Sequence, residues 1–166
     1  MSKAMLCRRE NPWPESAWPL KVTLGQFAAD EIRTALKRAD VNVSGWADDL
    51  IGRIGLSDEA RGLELVPVLD RDLGFDEAYT TRELLDRAIE HGYGTCPPEA
   101  GPLARLVYSG HEWLLVAMEP VTGSDGGPRV FRLNRRDDGL WLYANDADPD
   151  SRWSPGSRWL LVRREP

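Results

Sequence analysis

The stretch RVFRLNRRDDGLWLYA, residues 129–144, decides the fold class. Arg129 to Asn134 and Leu140 to Ala144 are runs rich in alternating, β-branched and aromatic residues. Between them, Asp138-Gly139 is the strongest short hairpin signal in the chain. Alternation sets Trp141 and Tyr143 on one face and Leu140 and Leu142 on the other, so an aromatic pair is expected on a solvent-facing or helix-covered surface. Working outward, Glu112 to Glu119 is apolar on both faces, the mark of a central strand. Ser109-Gly110 is expected to join it to a strand at Arg105 to Tyr108, and Arg158 to Arg163 closes the set.

Upstream, Cys96-Pro97-Pro98-Glu99-Ala100-Gly101-Pro102 reads as a rigid loop, because three prolines disrupt a helix interior or a central strand. Before it the periodicity changes to helical. Thr80 and Glu83 have capping-box spacing, Leu84, Leu85, Ala88 and Ile89 form an apolar stripe, and Gly92 suits the helix C-terminus. A helix is expected after Ser44, with Trp46, Ala47, Leu50, Ile51 and Ile54 inward and Asp48 and Asp49 in its first turn. Another is expected from an N-cap at Thr23, through Phe27, Ile32 and Leu36. Gly62 to Leu69 reads as a strand that Pro67 confines to an edge or an early stop. Pro12, Pro14 and Pro19 make residues 1–20 an irregular arm, pinned by Trp13 and Trp18.

These readings define an α+β fold in one domain, residues 1–166, with N-terminal helices packed on a mainly antiparallel C-terminal β-sheet of about five strands. The arm (1–20) leads into a mainly helical part (21–95) and then a β-rich part (96–166). Trp46, Trp113 and Trp159 are expected in the core.

The formal net charge of −6 lies wholly in the first part: residues 1–100 hold 18 acidic and 12 basic side chains, and 101–166 hold nine of each. From Asp40 to Glu99 there are 14 Asp or Glu against five Arg. Such a flank, including Asp48, Asp49, Asp76 and Glu77, repels phosphate backbones and attracts a basic protein surface. Direct nucleic-acid binding is not expected. No apolar run reaches a membrane span, and residues 1–10 lack a signal-peptide core, so a cytoplasmic address follows.

From about Trp46 to Arg164 the chain resembles a family of small uncharacterised bacterial proteins, hypothetical sequences with no activity attached. Ordered blocks carry the resemblance: Gly45-Trp46-Ala47-Asp48-Asp49-Leu50, Leu73-Gly74-Phe75, the Cys96 to Pro102 loop, Ala117-Met118-Glu119-Pro120, Ser124-Asp125-Gly126, the run from Asp137 to Leu142, and Trp153 to Trp159. The resemblance implies no function. His91 and His111 stand where the family carries other residue types.

The chemistry-bearing residues form no coherent catalytic set. A nucleophilic Cys96 needs a base, and both histidines depart from the family blocks; the alternative is a small buried thiol. Glu99 and Glu119, with Asp125, lie near turns where two carboxylates can flank a substrate; otherwise Glu99 caps backbone amides and Glu119 is a rim residue. Asp146, Asp148 and Asp150 alternate like calcium ligands, but Ser151 replaces the glycine and Ser157 the bidentate glutamate of such a loop. With Cys7 and Cys96 the only cysteines and no paired spacing, neither a metal nor a cofactor is expected. Trp141, Tyr143 and Trp153 are the candidate contact residues. The leading expectation is a non-enzymatic protein-binding module of the inhibitor or immunity type, using the acidic flank and exposed aromatics. A small hydrolase using Glu99 or Glu119, or a carbohydrate-binding sheet, are the alternatives.

Overall fold

The computed structural model describes residues 18–110 and 112–163. Expectations that fall on Cys7, Trp13 and His111 therefore lie outside the described residues. The strands are β1 (Leu20–Leu24), β2 (Asn42–Val43), β3 (Arg61–Leu69), β4 (Tyr79–Thr80), β5 (Leu114–Val116), β6 (Val121–Thr122), β7 (Pro128–Arg136), β8 (Gly139–Asp146), β9 (Arg152–Trp153) and β10 (Arg158–Val162). The α-helices are α1 (Ala29–Arg38), α2 (Gly45–Ile51), α3 (Thr81–Glu90) and α4 (Ala100–Val107), and Asp70–Leu73 forms a 3-10 turn.

The α+β class holds, but the sheet is larger and mixed. Its eight strands run β1-β3-β10-β5-β7-β8-β2, with β6 added to β7. The β10–β5 and β8–β2 pairs are parallel, while β4 and β9 make a separate antiparallel pair. Helix and strand residues also interleave along the chain: β1 and β3 come from the part expected to be mainly helical, and α4 from the part expected to be β-rich.

The β7–β8 hairpin forms as alternation dictates, in register from Arg129↔Asp146 to Arg136↔Gly139. Its turn is Asp137-Asp138 rather than Asp138-Gly139. Among described non-glycine residues only Asp40 has positive φ, so Asp138 is not in the geometry of a primed turn; Gly139, at φ +116°, takes the positive-φ position just after the bend. Phe131, Leu133 and Leu142 share the inward face and are fully buried, each contributing about 1.5–3 kcal/mol.

Helix α4 overturns the expected loop and the strand at Arg105 to Tyr108. Pro102 is the third residue of the helix, where a backbone N–H has no intrahelical acceptor, so the ring breaks no hydrogen bond. Gly101 lets α4 approach β7: a Cβ there would sit 2.7 Å from Phe131 Cδ2. With the chain helical to Val107, no hairpin forms at Ser109-Gly110, and the strand expected over Glu112 to Glu119 shortens to Leu114–Val116.

At the other end, Leu20–Leu24 alternates buried and exposed and pairs with β3, so Thr23 is a strand residue and not a helix cap. Helix α1 starts at Ala29 instead, where Glu31 accepts from the Ala28 N–H. The other caps match expectation: Ser44 Oγ accepts from Ala47 N–H, Thr80 and Glu83 exchange hydrogen bonds, and Gly92 follows α3 at φ +96°. Strand β3 runs between two partners. Its β1 ladder ends at Leu65, where the β10 ladder begins, so Pro67 faces a neighbour on one side only.

One sheet face, with Phe131 and Leu133, lies under α4, which also packs on α1. On the opposite face Trp159 meets Tyr79 and Trp153, and Trp153 Nε1 donates to Thr81 at the start of α3. The β7–β8 end of that second face carries the half-buried Arg132, Asn134, Trp141 and Tyr143 and the exposed Arg136. No helix among the described residues is long and apolar enough to cross a membrane.

Candidate functional site

Each nominated catalytic residue is satisfied separately. Cys96 is buried, its Sγ donates to the Leu160 carbonyl, and burial pushes the thiol up to about 12, which leaves it inert near neutrality. Glu99 is 1% exposed, and its two oxygens accept from the Gly25 and Ser57 N–H groups at 2.8 and 2.9 Å. It thus joins two loops distant in sequence. Glu119 is exposed and bonds Arg82 at 2.6 Å. Asp125 takes both arms of Arg129 at 2.8 and 2.9 Å, and this guanidinium holds its carboxyl well below the usual range. These residues share no partner. His91 is exposed at the end of α3, and no group of three or more metal-ligating side chains converges among the described residues.

The nominated acids are similarly dispersed. Asp48 pairs with Arg33, while Asp49 pairs with Arg53 and accepts from the Ser124 N–H, which keeps its carboxyl below the usual range. Asp76 and Glu77 are exposed between the 3-10 turn and β4. Asp146 bonds Arg129 at 3.1 Å, away from any cation cage. Trp153 points inward, edge-on to Trp159, and donates to Thr81 Oγ1.

Trp46, expected in the core, is 41% exposed, and the Arg129 guanidinium carbon lies 3.7 Å from its ring centre. An open depression of ≈ 370 Å³ beside it is lined by Ser44, Gly45, Trp46, Asp49 and Ser124. Its polar groups are already used, since Ser44 caps α2 and Asp49 holds the Ser124 amide.

Asp70 is the acid that local pattern did not single out. It is fully buried, accepts from the Tyr79 hydroxyl at 2.6 Å and from the Gly156 and Ser157 N–H groups, and Tyr79 in turn accepts from Trp159 Nε1. Burial, reinforced by Asp70, keeps Tyr79 protonated far above the usual tyrosine value. This chain locks β10 to the 3-10 turn and has no opening to solvent in which to act.

One region is incomplete. On the outward face of β7–β8, Arg132 lies opposite Tyr143 and Asn134 opposite Trp141, with Arg136 two residues further on. Trp141 and Tyr143 stack with centroids 5.1 Å apart and planes 9° apart. Their polar ends are fixed internally: Trp141 Nε1 donates to Asp138 at 2.7 Å, and Arg136 donates to the Tyr143 hydroxyl at 2.8 Å. The flat surfaces are held in place while the half-buried rings remain accessible. Arg132 sits 4.7 Å from the Tyr143 ring centre and 5.8 Å from that of Trp113, which is half-buried rather than in the core. Its side chain makes no hydrogen bond among the described residues, and its buried Nε has no partner.

Below this face, Arg105 of α4 is fully buried and donates to the carbonyls of Asn134, Trp141 and Tyr108, with its Nε unpartnered. Desolvation pulls it down to about 10, so it remains a cation at neutral pH. Among the described residues no carboxylate lies within ion-pair distance of Arg105, Arg132, Arg135 or Arg136, as is also true of Arg38, Arg61 and Arg71, while eight other arginines have one; Asp137 and Asp138 raise Arg136 at longer range. The sequence signal for this patch was present in the outward positions of β7, Arg132, Asn134 and Arg136, facing Trp141 and Tyr143 across the hairpin. Period two alone marks the aromatics, whereas arginines at alternate positions read as an ordinary solvated face.

No family model, curated protein or solved structure matches the chain, so function rests on the chemistry of its own residues.

Proposed function

We propose that this is a non-enzymatic binding protein that presents the β7–β8 face to a protein partner. The observation that carries the reading is the rigid, half-open Trp141–Tyr143 stack beside an arginine with unused donors. Aromatic and arginine side chains that sit partly desolvated and pre-positioned are the chemistry of interaction hot spots. The separate internal engagement of Cys96, Glu99 and Glu119 supports binding over hydrolysis. The setting also alters the kind of partner: the aromatics lie among cations, so the complementary surface here is acidic, while Asp48 and Asp49 are occupied within the chain.

Immobilised full-length protein, exposed to bacterial lysate, is expected to retain a defined polypeptide. Trp141→Ala should reduce that retention at least about tenfold, the scale of losing a buried aromatic anchor. Retention unaffected by Trp141→Ala, or a hydrolytic activity abolished by Glu119→Ala, would overturn the proposal.

A further inference from the structure

We infer that the partner offers the β7–β8 face a short, extended, carboxylate-rich peptide segment, with acidic side chains four residues apart set against Arg132 and Arg136. This inference rests on the binding reading above and specifies its ligand chemistry. Arg132 and Arg136 are i and i+4 on one strand face, which places their Cα atoms about 13 Å apart. An extended peptide carries alternate side chains at the same pitch, so its carboxylates at i and i+4 fall over the two guanidiniums. Asn134, between them and half-buried, has a side-chain amide that makes no hydrogen bond among the described residues. It is available to a polar group at the intervening i+2 position.

The donor geometry selects a planar, bidentate anion. The Arg132 guanidinium carbon lies 4.7 Å from the Tyr143 ring centre with its Nε buried, which leaves the two terminal nitrogens, unbonded among the described residues, for a fork such as a carboxylate. Charge complementarity points the same way. Arg132 and Arg136 share this face with no carboxylate within ion-pair distance among the described residues, in a chain whose net charge is −6; Arg105 lies beneath the face, Arg135 on its far side, and Asp137 and Asp138 act on Arg136 only at longer range. A long polyanion such as nucleic acid would extend past this patch onto acidic surface and be repelled there. A short acidic segment stays within it.

The test is a titration of 15N-labelled full-length protein with an octapeptide bearing Glu at alternate positions, compared with its Gln counterpart and with an oligodeoxythymidine of eight nucleotides. The Glu peptide is expected to shift amides of residues 130–136 and 139–146, and added salt to weaken the effect. Arg132→Gln and Arg136→Gln should each weaken binding about tenfold, the scale of one charged hydrogen-bonded contact. Unshifted amides elsewhere in each variant will establish that it remains folded. Equal binding of the Glu and Gln peptides, no effect of Arg132→Gln, or tighter binding of the oligonucleotide would overturn the inference. If the Glu peptide fails while Trp141-dependent retention from lysate persists, the acidic-segment assignment falls and the binding reading stands; if both fail, both fall.

Discussion

Asp70 and Glu99 are buried acids whose oxygens are supplied with donors: a tyrosine hydroxyl and two amides for Asp70, two amides for Glu99. Arg105 and Arg132, at the far end of the same sheet, are buried and half-buried cations, each with an unpartnered Nε and no counter-ion. Burying an ion without hydrogen bonds is expensive, so a fold that completes one set and leaves the other incomplete has separated its scaffold from its interaction surface. The acids hold loops together. Arg132 keeps capacity for a group from outside, while Arg105 spends its terminal donors on three backbone carbonyls beneath it.

That contrast can be broken in steps of decreasing size. Asp70→Ala strands the Tyr79 hydroxyl and the Gly156 and Ser157 amides, and should destabilise the fold by about 3–4 kcal/mol in urea denaturation. A loss below about 1 kcal/mol would remove Asp70 from the scaffold. Glu99→Ala leaves the Gly25 and Ser57 amides unmatched and should lose about 2 kcal/mol by the same measurement. Arg132→Gln should change stability by less than about 1 kcal/mol, because no ion pair is lost; a larger loss would make Arg132 structural and erase the distinction.

The smallest effect concerns the loop of residues 123–127. Asp125 and Asp49 both titrate below the ordinary 3.8, through Arg129 and the Ser124 amide respectively. Their stabilisation is thus complete above that value and lost as pH falls through the folded-state values. Hydrogen exchange at Gly123 and Gly127 should accelerate below about pH 4, relative to the β7–β8 amides, once intrinsic rates are corrected. Unchanged relative protection down to pH 2 would show that the loop is held by other means.

Elements fixed by local physics were legible in the sequence. The β7–β8 alternation, the reciprocal Thr80–Glu83 cap and the Ser44 cap all follow from neighbours within a few residues. Helix α4 is not, because a proline cluster reads as a breaker, whereas Pro102 occupies a first-turn position where proline is harmless. β1 is hidden because Thr23 reads as a helix N-cap, although Leu20, Val22 and Leu24 alternate. The parallel β10–β5 and β8–β2 pairs join segments far apart in the chain and leave no local trace. In the site, Trp141 and Tyr143 were legible from period two. Asp70 was not, since nothing nearby separates it from exposed Asp72; only the three-dimensional approach of Tyr79 and Gly156 does so.

The position of β10 bears on how the polypeptide is made. The last strand described lies in the middle of the sheet, between β3 and β5, so a growing chain on the ribosome holds two unjoined sheet fragments until residues 158–162 emerge. Until then β3 and β5 each expose an apolar edge that β10 will cover, a state that invites wrong pairing or chaperone capture. Nascent chains arrested before Arg158 should therefore be far more protease-sensitive than chains that include β10.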